Sequence, residues 1–95
     1  MRIEYSPRAE ADLDAIFDYL KERNPEAASA ILAAIRLRIA GLRNLPFMAP
    51  PARRPGVRCL TIVRYPYQVY YQIRGDLISI LHVRHTRRAP WKGAE

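Results

Sequence analysis

Between Pro46 and Gly56 the chain reads PFMAPPARRPG, four prolines and a glycine within eleven residues. Neither a helix nor a central strand can run through such a segment, because proline lacks the backbone donor and glycine adds freedom. The segment divides the sequence into two parts with different periodicities. Before it, apolar residues recur every three or four positions; after it, β-branched and aromatic residues come in short runs. A chain divided in this way folds as α+β, with the helices of one part covering the strands of the other.

The first part opens with MRIEY, in which Ile3 and Tyr5 alternate with charges and predict a short strand. Ser6-Pro7 then starts a helix. Serine caps free N–H groups, and proline suits the first helical position, where its missing donor goes unused anyway. Acids at 10, 12 and 14 lie early in this helix, where its dipole favours them. Ala9, Leu13, Ile16, Phe17 and Leu20 form its apolar face, and the expected extent is Pro7 to Arg23. Asn24-Pro25 repeats the start signal. The second helix carries the stripe Ala28, Ile31, Leu32, Ile35, Ile39 and Leu42, and Gly41 weakens its last turn by about 1 kcal/mol. Two amphipathic helices joined this tightly make an antiparallel helical hairpin whose apolar side needs a sheet.

In the second part, VRCLTIVR from Val57 to Arg64 predicts a strand, and Tyr65-Pro66 a turn. Tyr67 to Ile73 and Leu77 to Val83 are then joined by Arg74-Gly75-Asp76 as a β-hairpin. The order is β–α–α–β–β–β. The expected fold is therefore α+β: an N-terminal strand and an antiparallel helical hairpin packed on a small, mostly antiparallel sheet. Residues 1–95 form one domain without internal repeats.

Charge is divided as sharply as periodicity. Residues 1–26 carry a net charge of −3 and residues 27–95 a net of +10, within a total of +7. The basic side suits nucleic acid or an acidic protein segment. The single Cys59 excludes an intrachain disulfide and is expected to be a buried structural thiol. No apolar run approaches a membrane span, and MRIEYSPRAE has no signal-peptide pattern, so a cytoplasmic location is expected.

Four segments in this order resemble the ParE-type toxins of the RelE/ParE toxin–antitoxin superfamily. They are AEADLDAIFDYLKERNPEAA, PGVRCL at 55–60, YPYQVYYQI at 65–73 and ISILHVRHTRRAP at 78–90. The resemblance implies a helical hairpin on a small sheet, in agreement with the order read from the residues. It also implies one of two activities. RelE-like members are ribosome-dependent messenger-RNA endonucleases, whereas ParE members poison DNA gyrase. RelE-like nucleases carry an arginine on the strand where this chain has Gln68, and usually a tyrosine where it has Pro90-Trp91. Neither glutamine nor indole supplies the charge or the titrating proton that 2′-OH attack requires.

The expected function is thus a gyrase-binding toxin held in check by a ParD-like antitoxin. No residue is assigned a catalytic role, and no metal or cofactor is expected. His82 and His85 lie three apart on one strand and so on opposite faces, where they cannot act as a pair. Tyr65, Tyr67, Tyr70 and Tyr71 read as core and cross-strand packing ahead of base stacking. Candidate target-binding residues are Arg58, Arg64, Arg84, His85, Arg87 and Arg88. The antitoxin, with an acidic C-terminal segment that is disordered when alone, is expected to land on Arg53, Arg54 and Arg58. It would lie along the outer side of the helical hairpin or pair with an open sheet edge, with two toxins on an antitoxin dimer. The alternatives are a ribosome-dependent endonuclease using Arg58, Arg64 and His85, and a simple nucleic-acid-binding module.

Overall fold

A computed structural model of the chain describes residues 1–87. Strand β1 spans Arg2–Tyr5, helix α1 Pro7–Lys21 and helix α2 Pro25–Ala40, with a short 3-10 turn at Gly41–Arg43. Strands β2 (Val57–Ile62), β3 (Tyr67–Arg74) and β4 (Leu77–His85) follow, so the element order is the one the sequence predicts. Both helices start at their predicted caps. Ser6 Oγ accepts from the Ala9 amide at 3.0 Å, and Asn24 Oδ1 accepts from that of Ala27 at 3.2 Å. Helix α1 stops two residues before the predicted Arg23, and β2 ends at Ile62, because Val63–Pro66 already turns.

The sheet runs β1-β4-β3-β2. Strand β1 pairs in parallel with β4, while β2–β3 and β3–β4 are antiparallel. Arg74 pairs with Leu77, leaving a two-residue turn at Gly75-Asp76, and Gly75 takes φ +58°. Type II′ hairpin turns demand a positive φ at that first position, which favours glycine. The β3–β4 register slips between Tyr70 and Tyr71, so that Leu81 bulges out between Ile80 and His82.

One sheet face and both helices enclose the main core. Leu60, Ile62, Tyr67, Val69, Tyr71, Ile78, Ile80 and Val83 meet Ala9, Leu13, Ile35, Ile39 and Leu42 there. Of the predicted α2 stripe, Ala28, Ile35, Ile39 and Leu42 are buried and Ile31 and Leu32 half-buried, while Phe17 of α1 stays over one-third exposed at the helix surface. Among the described residues, the opposite face carries a small cluster of Val57 and Tyr70 with Ala52, Cys59 and Leu81. The proline segment wraps around the β2 edge between these faces. Ala49 enters the main core, Cys59 N–H donates to Pro50 O at 3.0 Å, and Ala52 reaches the small cluster.

Candidate functional site

On the open face, side chains from three strands align in two polar rows because strand register places them side by side. Thr61, Gln68 and Arg84 form one row, and Cys59, Tyr70 and His82 the other. Gln68 bridges its row, with Nε2 donating to Thr61 Oγ1 at 3.4 Å and Oε1 accepting from Arg84 at 2.6 Å. The Arg84 guanidinium also donates through Nε to the Tyr70 hydroxyl at 3.0 Å, and to the His85 carbonyl at 2.9 Å. Among the described residues, three acceptors thereby hold a side chain that is only 9% exposed. Arg84 forms the floor of a shallow depression of about 230 Å³, walled by Pro51, Ala52, Arg53, Cys59, Gln68 and Tyr70. Cys59 is half-buried rather than buried as expected. Burial pushes its thiol up, against the lowering influence of the Tyr70 hydroxyl and the Arg84 charge, so it is no ready nucleophile.

The two histidines lie on opposite faces, as strand alternation requires. His82 stacks on Tyr70 with ring centroids 5.9 Å apart, and its Nδ1 lies 2.6 Å from Asp12 Oδ2. The same carboxylate oxygen accepts the Val83 amide at 2.9 Å. Strand β1 reaches only Ile80 of β4, so α1 supplies the acceptor that a longer β1 would have provided. Ser6 adds to this seam, donating its hydroxyl to Leu81 O at 3.0 Å while capping the helix. His85 packs edge-on against Tyr67 with centroids 5.3 Å apart, and its Nδ1 accepts the Arg87 amide at 3.1 Å.

The remaining candidate cations do not form one patch. Arg64 is exposed in the β2–β3 turn, and Arg87 is exposed just past β4. Thr86 N–H donates to Pro66 O at 2.8 Å, which places these two segments at the same end of the sheet. Arg88 and the Pro90-Trp91 pair lie outside the described residues. Arg58 faces the helix side, donates to Ala49 O at 2.7 Å, and lies 5.0 Å from the Phe47 ring centroid. Tyr71 adds a 2.8 Å bond to Pro46 O. Together Arg58 and Tyr71 fasten the proline segment, whose carbonyls outnumber its donors. Arg58→Ala is therefore expected to cost about 1.5 kcal/mol. It is also expected to speed tryptic cutting after exposed Arg53, measured by mass spectrometry against the wild-type protein. Unchanged cutting and an unchanged unfolding midpoint would show that the segment does not depend on Arg58.

The outer side of the helical hairpin is chemically different. Leu13, Phe17 and Leu32 line an open groove of about 380 Å³ flanked by Asp14, Asp18 and Arg36. Sequence reasoning identified the cations but not their division between the faces, nor the role of Asp12. Only a cross-chain contact reveals either.

A helical hairpin on a four-stranded mixed sheet is the architecture of the RelE/ParE class of toxins. The chain belongs to the family described as ParE toxin of type II toxin–antitoxin system, parDE, whose family model matches residues 3–90. It is 32% identical over 87 residues to the candidate toxin Y4kP of Sinorhizobium fredii, covering 92% of this chain and 90% of that protein. Among solved structures, it matches a chain of the chromosomal ParDE toxin–antitoxin system of P. aeruginosa with a TM-score of 0.84 and 30% identity. That match covers 92% of this chain and 97% of the other. The isolated E. coli RelE toxin shares the fold alone, with a TM-score of 0.64 at 11% identity over 93% and 86% of the two chains.

Proposed function

We propose that this toxin inhibits DNA gyrase by binding, without catalysis, and is neutralised by a cognate antitoxin with an acidic C-terminal segment. The observation that carries this reading is Gln68. At the place where the nuclease branch is expected to carry a cation, a neutral amide is committed to Thr61 and Arg84. The histidines support the same reading. His82 Nδ1 is engaged by Asp12, and His85 Nδ1 accepts a backbone amide, so neither ring is arranged around a shared substrate. Two assays on purified protein test it: inhibition of gyrase supercoiling, and cleavage of message on ribosomes. Inhibition without RNA fragments is expected. Site-specific cleavage in the ribosomal A site would overturn the proposal.

The antitoxin has two receptors available. One is the apolar groove of Leu13, Phe17 and Leu32, which suits one face of an amphipathic helix. The other is the β2 edge, which the proline segment covers at Val57–Cys59; among the described residues no backbone group pairs with Thr61 on that side. Arg53 and Arg54 flank this edge and are exposed. Since Arg58 is occupied with loop carbonyls, the charge reversal that isolates capture is Arg53→Glu with Arg54→Glu. Antitoxin association by stopped-flow is expected to slow about tenfold at low salt and to lose most of its salt dependence. Unchanged rates would place the landing surface elsewhere. Two toxins on an antitoxin dimer is the proposed assembly, checked by light scattering of the complex.

A further inference from the structure

We infer that an exposed apolar strip, running from the C-terminal end of α2 into the proline segment, is where the antitoxin's acidic segment crosses from the hairpin groove to the β2 edge. The identity of the partner rests on the antitoxin reading above. Its chemistry, acids interleaved with aliphatic or aromatic anchors, rests on the strip itself.

Four large apolar side chains make the strip: Leu37, Leu45, Phe47 and Met48, exposed by 74%, 61%, 63% and 43%. Backbone bonds hold them in succession. The Gly41 amide donates to Leu37 O, the Leu45 amide to Gly41 O at 3.3 Å, and the Met48 amide to Leu45 O at 3.2 Å. Residues bonded four apart lie one turn apart on the same side, so Leu37 and Leu45 flank Gly41. A Cβ on Gly41 would meet nothing within 4 Å, which leaves a gap between the two leucines for a partner's side chain. Single exposed apolar residues are ordinary, but a contiguous set marks an interaction surface.

The strip also links the two proposed receptors. Leu37 follows Arg36, which flanks the groove of Leu13, Phe17 and Leu32. At the other end the Arg58 guanidinium lies 5.0 Å from the Phe47 ring centroid, and Arg58 bridges to Pro51 along the β2 edge. A segment occupying groove and edge together finds apolar anchorage along the way.

Charge selects the occupant. From Ala27 to Gly75 the chain has eight arginines and no carboxylate side chain. Arg38 and Arg43 are interleaved with Leu37 and Leu45 in sequence. Among the described residues Arg58 donates to the carbonyls of Phe47 and Ala49, and no carboxylate meets it. A second copy joined through this strip by two-fold symmetry would set these arginines near their own equivalents. A partner with acids between apolar anchors satisfies both features of the surface.

The test uses the full-length toxin and its cognate antitoxin, with surface plasmon resonance at low and high salt. Leu37→Ser and Leu45→Ser each remove an exposed apolar group and no charge. Each is expected to speed antitoxin dissociation about tenfold, while the association rate and its salt dependence stay as in the wild type. The thermal midpoint of each free variant should lie within about 4 °C of the wild type. Hydrogen peroxide footprinting gives a second measure. Met48 oxidation should slow severalfold in the complex, whereas Met1, beside the opposite sheet edge, should keep its rate. Gyrase inhibition by either free variant should equal that of the wild type. Wild-type dissociation from both variants, with Met48 oxidised equally fast in the complex, overturns the inference and leaves the antitoxin reading standing. An antitoxin that fails to bind the wild-type toxin overturns both. Two further results overturn the inference by reassigning the strip. Gyrase inhibition lost with antitoxin binding kept gives it to the target. A wild-type toxin dimer in sedimentation, abolished by either substitution while antitoxin binding is kept, gives it to a second copy.

Discussion

Ile35→Asp is expected to abolish cooperative folding. Ile35 is fully buried in the main core, on the α2 face that meets the sheet. An aspartate there places a carboxyl among aliphatic and aromatic side chains with no cation of the core cluster beside it. It can be accommodated only by opening the helix–sheet interface or by protonation. Either cost is comparable with the whole stability of such a domain, about 5–10 kcal/mol. The measurement is urea unfolding followed by circular dichroism, and no sigmoidal transition should remain. Leu37→Asp is the matching control. It lies two residues further along the same helix, is 74% exposed, and should change stability by less than about 0.5 kcal/mol. A cooperative transition at the wild-type midpoint for Ile35→Asp would mean that α2 packs through another face.

Asp12→Ala is expected to be the most damaging change to a polar residue. Its Oδ2 accepts the Val83 amide and lies against His82 Nδ1. Removing the carboxylate deprives a buried strand N–H of its acceptor and unties α1 from the last strand. Loss of two such bonds, both to a carboxylate oxygen, is expected to cost about 3 kcal/mol. For a domain of this size that corresponds to a fall in Tm of about 10–20 °C by calorimetry. Asp12→Asn retains an oxygen for the Val83 amide and should recover part of the loss. A double-mutant cycle with His82→Ala isolates the pair, and a coupling of about 1 kcal/mol or more is expected for groups in direct contact. Additive single effects would reduce Asp12 to a strand cap alone.

The elements that could be read from the sequence are those fixed within a few residues. Ser6 and Asn24 bond amides three positions on, and the Gly75 turn is set by two residues, so helix starts and the hairpin emerge from local chemistry. The stripe of α2 was legible for the same reason. What lay hidden depends on contacts across the chain. Asp12 looked like one of several acids favouring a helix start, yet its partners lie about seventy residues away. Arg58 and Arg84 looked like exposed docking cations. One is occupied with loop carbonyls and the other forms the floor of a depression, because strand register decides which face each arginine occupies. Phe17 has the spacing of a core residue but stays in part at the surface, since α1 rests on β4 through Ala9 and Leu13.

The parallel pairing of β1 with β4 joins the first strand to the last among the described residues. Ser6 donates to Leu81 O, Asp12 receives Val83, and Arg2 N–H donates to Asp76 O. During synthesis the first half of the chain therefore emerges with none of these partners yet made. The helical hairpin must wait with its apolar side uncovered until β4 has cleared the ribosome, and such long-range closure is slow. A truncated product lacking β4 can neither bury that side nor satisfy that seam. The fold therefore closes only after β4 has emerged, leaving an interval in which a partner already present can meet each new molecule before it is fully folded.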